Sequence, residues 1–571
     1  MANVIQYNNL LSHGIILEYQ LPLSAKRLDV MLTGYDCQGH SQAVVIELKQ
    51  WDAATESSID GCVTTYLGSR ERDVLHPSVQ VGQYEQYLSD CHTVFSSNEV
   101  GLSSCAFLHN LEREKAGILL RPTFEPYLSR CPLFAGDDTK TLSDYIKRQV
   151  ATGCNGEVLK KVLDSKYRAS KKLLDHVAEV VLEHPSFVLL DEQLVAYNAV
   201  LTAAREGYHD KRKTAIVVKG GPGTGKSVIA LQLMGALSKL GYNTQHATGS
   251  RAFTGNIRKL VGNRGSVQFK YFNSYGVAEP NEIDILVMDE AHRIRESSAN
   301  RFTPKTQRSA LPQIDEVLRA AKVSVFFIDD RQVVRPGEVG SSALIGQAAV
   351  RANARIQEFE LEAQFRCNGS DAFINWVDNT LGIRRTANIL WDRSDPFELL
   401  LVDTVEELEV MIQEKAAIGN TARLVAGFCW PWSNPNKDGS LVDDVVIGGW
   451  ARPWNAKPDA GRLARGVPRA DFWASDPGGL NQVGCVYTAQ GFEFDYCGVI
   501  IGNDFRYAPE TAKWQGYREE SYDSVVKRSG ARYGELIAQT YRVLLTRGMK
   551  GCAIYCQDRA TRSFLRSRIE N

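Results

Sequence analysis

The 571-residue sequence has no uninterrupted run of the ~18 apolar residues that a membrane-spanning helix needs, so no such helix is expected. Met1–Leu11 show no cationic stretch leading into an apolar one, and no secretion signal is expected there. Net charge is nearly nil, −1 at pH 7, so any nucleic acid would be held in a local groove and not on a generally basic surface. The 12 cysteines include no CxxC pair. That argues against a zinc ribbon and for reduced, mostly buried thiols in a cytoplasmic protein. There is no internal repeat and no long low-complexity tract. What remains is ordinary soluble composition, 44% hydrophobic and 23% charged, in a chain too long for one core, since single cores rarely pass about 300 residues.

Texture divides the chain. Residues 1–135 alternate short apolar strands with polar turns, at Gly14–Leu23, Arg27–Thr33, Ala43–Leu48 and Cys105–Leu108. Residues 136–185 place Val158, Val162, Tyr167, Leu174, Val177 and Val181 at helical spacing, with lysines between them, and read as an amphipathic connector. From 186 onward, apolar runs alternate with helical patterns: Ala215–Lys219, Ile283–Met288, Val323–Ile328, Leu399–Val402, Leu424–Phe428, Cys497–Ile501 and Cys552–Tyr555. These suit buried parallel strands of an α/β architecture, enough for two doubly wound lobes, 186–350 and 351–571. The stretch near 430–480 interrupts the pattern and holds five of the nine tryptophans. Loop-borne Trp can stack on bases, and it can equally fill the small core of an irregular insertion.

Gly220-Gly221-Pro222-Gly223-Thr224-Gly225-Lys226-Ser227 follows an apolar strand and opens an apolar helix. Glycines at Gly220, Gly221, Gly223 and Gly225 let backbone N–H groups turn toward phosphates, and the helix N-terminus favours negative charge. In such a loop Lys226 neutralises the β- and γ-phosphates of ATP and Ser227 holds Mg²⁺. Asp289-Glu290-Ala291-His292 ends the strand Ile283–Met288. Asp289 there suits Mg²⁺ bound through water, and Glu290 suits polarising the attacking water.

With these two motifs, residues 186–571 resemble the superfamily 1 helicases, whose two lobes are RecA-like. The resemblance implies that Gln193, in Leu190-Asp191-Glu192-Gln193, reads adenine. It implies that Gln332, in Asp329-Asp330-Arg331-Gln332, senses the γ-phosphate, and that Arg366, in Gln364-Phe365-Arg366, reaches the nucleotide from the second lobe. Gln490, Gly491 and Glu493, within Tyr487–Asp495, are similar to the fifth motif. Arg547, in Tyr541–Gly548, resembles the arginine finger of the sixth. Thr248-Gly249-Ser250-Arg251 lies where the family contacts a nucleic-acid strand. More narrowly, the signature resembles Schlafen-type helicase-like ATPases. The short span between Ser250 and the DEAH box leaves no room for the accessory domain of many unwinding relatives, so translocation is better supported than processive unwinding.

In the N-terminal region, Asp29 precedes a second strand ending Glu47-Leu48-Lys49. A carboxylate followed by ExK at strand ends is the pattern that metal-dependent phosphodiester cleavage needs, and strand alternation puts Glu47 and Lys49 on one face. Asp29, Glu47 and the Leu48 carbonyl would hold Mg²⁺ (or Mn²⁺), and Lys49 would position the hydroxide. Gln80 and Tyr84 share a helix face. Together these resemble the PD-(D/E)XK nuclease fold of the RecB-like branch, a restriction-endonuclease-like α/β domain. Glu18 is the nearby candidate for the family's initial acidic residue. The expected activity is an ATP-driven motor on DNA, with RNA not excluded, fused to a DNA nuclease serving defence or repair. The rivals are a translocase or sensor whose N-terminal domain only binds nucleic acid, and a P-loop switch that scaffolds partners.

Overall fold

The computed structural model describes residues 10–21, 26–67, 70–165, 188–209, 212–299, 303, 308–361 and 370–569. Among these, no helix is long and apolar enough to cross a membrane. The chain forms two compact units. One holds the described residues up to 165 together with 188–206; the other runs from 207 onward. The adenine-reading segment expected in the first lobe, from 186, is thus grouped with the N-terminal unit. Of the expected connector, residues 136–165 are described and hold two separate helices, Thr139–Gln149 and Glu157–Leu163, while 166–185 lie outside the described residues.

In the N-terminal unit, β1 (Gly14–Gln20), β2 (Arg27–Tyr35) and β3 (Ser41–Lys49) pair antiparallel in succession. A small sheet of β4 (Thr55–Glu56), β5 (Cys62–Leu67) and β6 (Arg70–Leu75) follows, then the helix Pro77–Cys91. β7 (Gly101–Leu108) returns parallel to β3, and β8 (Leu133–Ala135) parallel to β7. The parallel return requires a crossover, which the helix Pro77–Cys91 supplies. Val30, Leu32, Val44, Ile46, Cys105 and Phe107 form the core on one face of the sheet.

The second unit has two lobes. In the first, β9 (Thr214–Gly220), β10 (Thr244–Thr248), β11 (Phe269–Tyr271), β12 (Ile283–Asp289), β13 (Ala321–Ile328) and β14 (Arg355–Leu361) form one parallel sheet, ordered β11-β10-β12-β13-β9-β14. β9, β12 and β13 are near-continuous apolar runs, as strands covered on both faces must be. β14 lies at the edge and keeps Arg355 and Glu358 in solvent, a protection against edge pairing.

In the second lobe, β15 (Glu398–Val402), β16 (Ala422–Ala426), β19 (Val483–Gly484), β20 (Phe494–Ile501) and β23 (Gly548–Cys556) run parallel in the order β15-β23-β20-β16-β19. Two hairpins, β17 (Val445–Ile447) with β18 (Trp450–Arg452) and β21 (Phe505–Ala508) with β22 (Lys513–Gly516), decorate it. The Trp-rich stretch resolves into core: Trp430, Trp450, Trp454 and Trp473 are all buried. Their indole N–H groups donate to Val446 O, Glu409, Pro431 O and Gly479 O respectively. These tryptophans are therefore not presented to bases.

Candidate nucleotide site and candidate carboxylate pocket

The turn after β9 reaches left-handed backbone at Gly223 (φ +81°) and Gly225 (φ +82°), where a side chain would be strained. The helix Lys226–Lys239 starts there. Lys226 Nζ donates to the carbonyls of Gly220 and Gly221 at 2.7 and 2.6 Å, so the ammonium lies over the loop. Ser227 Oγ donates to Asp289 Oδ2 at 2.6 Å. Asp289 is 2% exposed, and burial pushes its carboxyl above the ordinary value despite the Ser227 bond and the Lys226 charge. A hydroxyl and a carboxylate so placed beside the loop fit a hard cation with phosphate oxygens.

Glu290, the next residue, adopts φ +54°, and its Oε2 accepts from Arg293 Nη1 at 3.3 Å. Arg293 is buried and also pairs with Glu338, Nε to Oε1 3.4 Å. His292 is buried, which lowers its imidazole to about 4, so it is neutral at neutral pH. Gln490, from the second lobe and wholly buried, places its amide Nε2 3.3 Å from His292 Nε2. Next to it, Gly491 has φ +93°, and a Cβ there would lie 3.5 Å from Ser250 Oγ and 3.7 Å from Glu290 Oε1. The fifth motif is thus seated directly against the first lobe. Glu493 is half-buried.

Gln332 is buried, and its backbone N–H donates to Asp329 O at 3.1 Å. Arg547 is 2% exposed; its Nε donates to Val543 O at 2.9 Å and its Nη1 to Phe492 O at 3.3 Å, joining the fifth and sixth motifs. Arg366 lies outside the described residues. The hydroxyls expected to meet a strand turn inward: Ser250 Oγ accepts from Phe253 N and Thr248 Oγ1 from Ser250 N, which caps the helix Arg251–Ser266.

Sequence reading missed Asp329 and Arg542. Asp329 is buried, yet the Arg542 and Lys226 cations overcome burial and hold its carboxyl below the usual range. The only sequence signal was an arginine inside the apolar run Tyr541–Leu545, where a charge must find a buried partner.

In the N-terminal unit, Leu48 N–H donates to Asp29 Oδ2 at 2.6 Å, tying β2 to the end of β3. Lys49 Nζ donates to Glu47 Oε1 at 2.8 Å, while Glu47 Oε2 is buried with no hydrogen-bond partner. Burial, with the Asp29 charge adding, pushes Glu47 up to about 7 against the opposing Lys49 charge. Gln80 Nε2 donates to the Tyr84 hydroxyl at 2.9 Å. Glu18 is exposed on β1 with φ +52°. Gln193 is buried in this unit, its Oε1 accepting from Leu190 N at 3.2 Å. Among the described residues, no three His, Cys, Asp or Glu side chains already form a metal cage.

Residues 213–558 match the family described as Schlafen group 3, DNA/RNA helicase domain, which is more than half of the chain. The protein belongs to that family: its second unit is a helicase core, and the protein is an ATP-hydrolysing enzyme. The chain is also similar to the uncharacterized protein YPL245W of Saccharomyces cerevisiae, 25% identical over 402 residues, covering 61% of this chain and 83% of the relative. Among solved structures, the Pif1 helicase from Candida albicans aligns with 12% identity over 65% of this chain and 95% of its own, at a TM-score of 0.27. A DNA replication initiation factor aligns with 15% identity over 39% of this chain and 60% of its own, at a TM-score of 0.17. Superpositions this loose support no transfer of function.

Proposed function

We propose that the protein is a nucleic-acid-stimulated ATPase and translocase whose N-terminal unit is a divalent-cation-dependent DNA nuclease, working in defence against foreign DNA or in DNA repair. One observation carries the motor: Lys226, Ser227, Asp289 and Glu290 meet at one end of the first sheet, with Gln490 of the second lobe packed on His292. Lys226 neutralises the transferring phosphoryl group, and Ser227 with Asp289 would hold Mg²⁺, which would supply charge stabilisation there. Glu290 accepts the proton of the attacking water. Arg547 and Arg366 add positive charge from the second lobe, and Gln332 senses the γ-phosphate. Closure of the lobes then accompanies hydrolysis, and their cycling moves the protein along a strand.

The nuclease reading rests on Glu47. A buried carboxylate oxygen without a donor, close to a second carboxylate and a lysine, has the chemistry of a cation ligand. Asp29, Glu47 and the Leu48 carbonyl would hold Mg²⁺ or Mn²⁺, whose chemistry there would be to acidify a bound water; Lys49 would orient the nucleophile, and Gln80 and Tyr84 would support the pocket.

The test is incubation of purified protein with labelled single- and double-stranded DNA and RNA, with and without ATP and Mg²⁺ or Mn²⁺. The expected result is DNA-stimulated ATP turnover, and cation-dependent cleavage that Asp29→Ala, Glu47→Ala and Lys49→Ala each abolish. ATP turnover indifferent to nucleic acid would leave a P-loop switch. Stimulated turnover without cleavage of any substrate would leave a translocase whose N-terminal unit only binds.

A further inference from the structure

The second unit holds a cavity of about 730 Å³, walled by the end of the helix Asp371–Thr380, the hairpin of β21 and β22, and the helices Tyr533–Leu545 and Arg559–Ile569. Small-molecule sites run from about 300 to 1,000 Å³, so the space suits a small ligand. No residue of Gly220–Ser227 lines it, so it is separate from the phosphate loop.

Three cations line the cavity, Arg331, Lys513 and Arg568, against one carboxylate, Glu535, which also faces Arg532 at 3.5 Å. Lys513 is exposed and has no acidic partner among the described residues. Such an excess of positive charge selects an anion. Another wall is aromatic. Trp514 is half-buried and stacked on Phe505 at 4.6 Å, and its indole N–H already donates to Thr380 O at 2.6 Å. It therefore offers apolar surface, which a bare inorganic anion would leave unused. Two polar atoms on lining residues, Thr380 Oγ1 and Gln539 Oε1, are buried with no hydrogen-bond partner. Buried oxygens of this kind are costly unless something donates to them, as the N–H groups on the edge of a nucleobase can. At Gly534, on the same wall as Gln539, a Cβ would meet nothing within 4 Å, so the space beside it is open.

We propose that this cavity binds a phosphorylated nucleoside, its phosphate drawn by Arg331, Lys513 and Arg568, and its base lying toward Trp514, Thr380 and Gln539. Binding bears on the motor through Arg331. That guanidinium also faces Asp378 Oδ2 at 3.7 Å, and Asp378 accepts from Arg542 Nε at 2.6 Å. A phosphate in the cavity competes with Asp378 for Arg331, and so loosens a tie between the two lobes.

The experiment uses full-length Lys226→Ala, which lacks nucleotide binding at the phosphate loop. Isothermal titration calorimetry of this variant with AMP, GMP, CMP and UMP in turn should show binding at one site. Adding Lys513→Ala or Arg568→Ala should weaken it about tenfold, the scale of one lost hydrogen bond to a charged group. Adding Gly534→Leu, which places a side chain in the open space, should abolish it. A phosphorylated dT trinucleotide run alongside distinguishes the sources. Mononucleotide binding identifies a free nucleotide; trinucleotide binding alone, lost in Gly534→Leu, identifies the end of a strand. With the phosphate loop intact, the ligand so found should lower ATP turnover severalfold, and Gly534→Leu should turn over ATP normally without responding. No binding of any probe, or binding that all three added substitutions leave unchanged, overturns the site. Binding that leaves turnover unmoved overturns the tie through Arg331. If Gly534→Leu does not fold, Lys513→Ala and Arg568→Ala decide.

Discussion

The Arg542 guanidinium of the second lobe reaches Asp329 of the first, Nη1 to Oδ2 3.5 Å, with both side chains buried. Arg542 Nε also donates to Asp378 Oδ1 at 2.6 Å, and Asp378 Oδ2 faces Arg331 of the first lobe at 3.7 Å. Two carboxylates and two guanidiniums therefore bridge the lobes where the third and sixth motifs meet. Asp329 also lies in the field of Lys226, so the bridge begins at the phosphate loop.

Removing one partner of a buried ion set strands the others. Arg542→Ala should cost the second unit about 3–5 kcal/mol, read as a lowered urea midpoint, whereas a surface arginine such as Arg393 should cost almost nothing. The pH dependence follows from Asp329. Its carboxyl is held below 3.8 in the folded protein, so its stabilising contribution is full above that value and lost as pH falls through the lower folded value. Asp329→Asn should flatten that acid limb. An Arg542→Ala midpoint equal to wild type would show that the bridge carries no free energy.

Gln490 and His292 make a second contact across the lobes, and it is uncharged because His292 is neutral at pH 7. Gln490→Leu keeps the volume and removes the amide. ATP binding through Lys226 should persist, while nucleic-acid stimulation of turnover should fall roughly tenfold, the size of one lost hydrogen bond to a closed state. Stopped-flow nucleotide binding alongside steady-state turnover checks this. Equal losses in both would place Gln490 in nucleotide binding and not in closure.

Legibility followed hydrophobic pattern. β9, β12, β13 and β20 are apolar runs between polar turns, and all were readable. β10 was not: Thr244-Gln245-His246-Ala247-Thr248 contains no apolar run. It is buried because His246, neutral with its imidazole lowered to about 4, packs between the rings of Phe253 and Phe269. The phosphate loop and DEAH box were legible because local geometry suffices for them. Asp329–Arg542 and the Tyr84 hydroxyl bonded to Asp191 were not, since each joins residues far apart in sequence that only the fold brings together. The tryptophans of 430–473 were ambiguous for the same reason, as their N–H partners are set by tertiary contact.

Arg547 tests a family expectation against a local one. An arginine finger acts on transition-state charge, so Arg547→Ala should slow hydrolysis about a thousandfold with little change in ATP affinity. Its bonds to Val543 O and Phe492 O also brace the fifth motif against the sixth. Bracing alone would lower thermal stability and affinity together. Nucleotide titration, turnover and melting temperature of one variant separate the two, and unaltered turnover would remove the finger role.

Glu290, the proposed general base, is held by an arginine that is itself neutralised. Its Oε2 accepts from Arg293 Nη1 at 3.3 Å, and Arg293 pairs in turn with Glu338. The shared arginine keeps the carboxylate oriented. Glu290→Gln preserves shape and removes the capacity to take a proton. ATP should still bind, because Lys226 and the loop amides are untouched, while single-turnover hydrolysis should slow by about 10²–10⁴, the range for a positioned general base. Lys226→Ala should differ in kind, losing ATP binding and turnover together, because the β- and γ-phosphate charge loses its neutralising group. Glu338→Gln should produce a milder form of the Glu290 effect, because it releases Arg293 from Glu338 and leaves the guanidinium to Glu290 alone. Rapid-quench measurement of one turnover with saturating ATP, together with equilibrium nucleotide binding, distinguishes the three variants. Wild-type hydrolysis by Glu290→Gln would move the base to another residue.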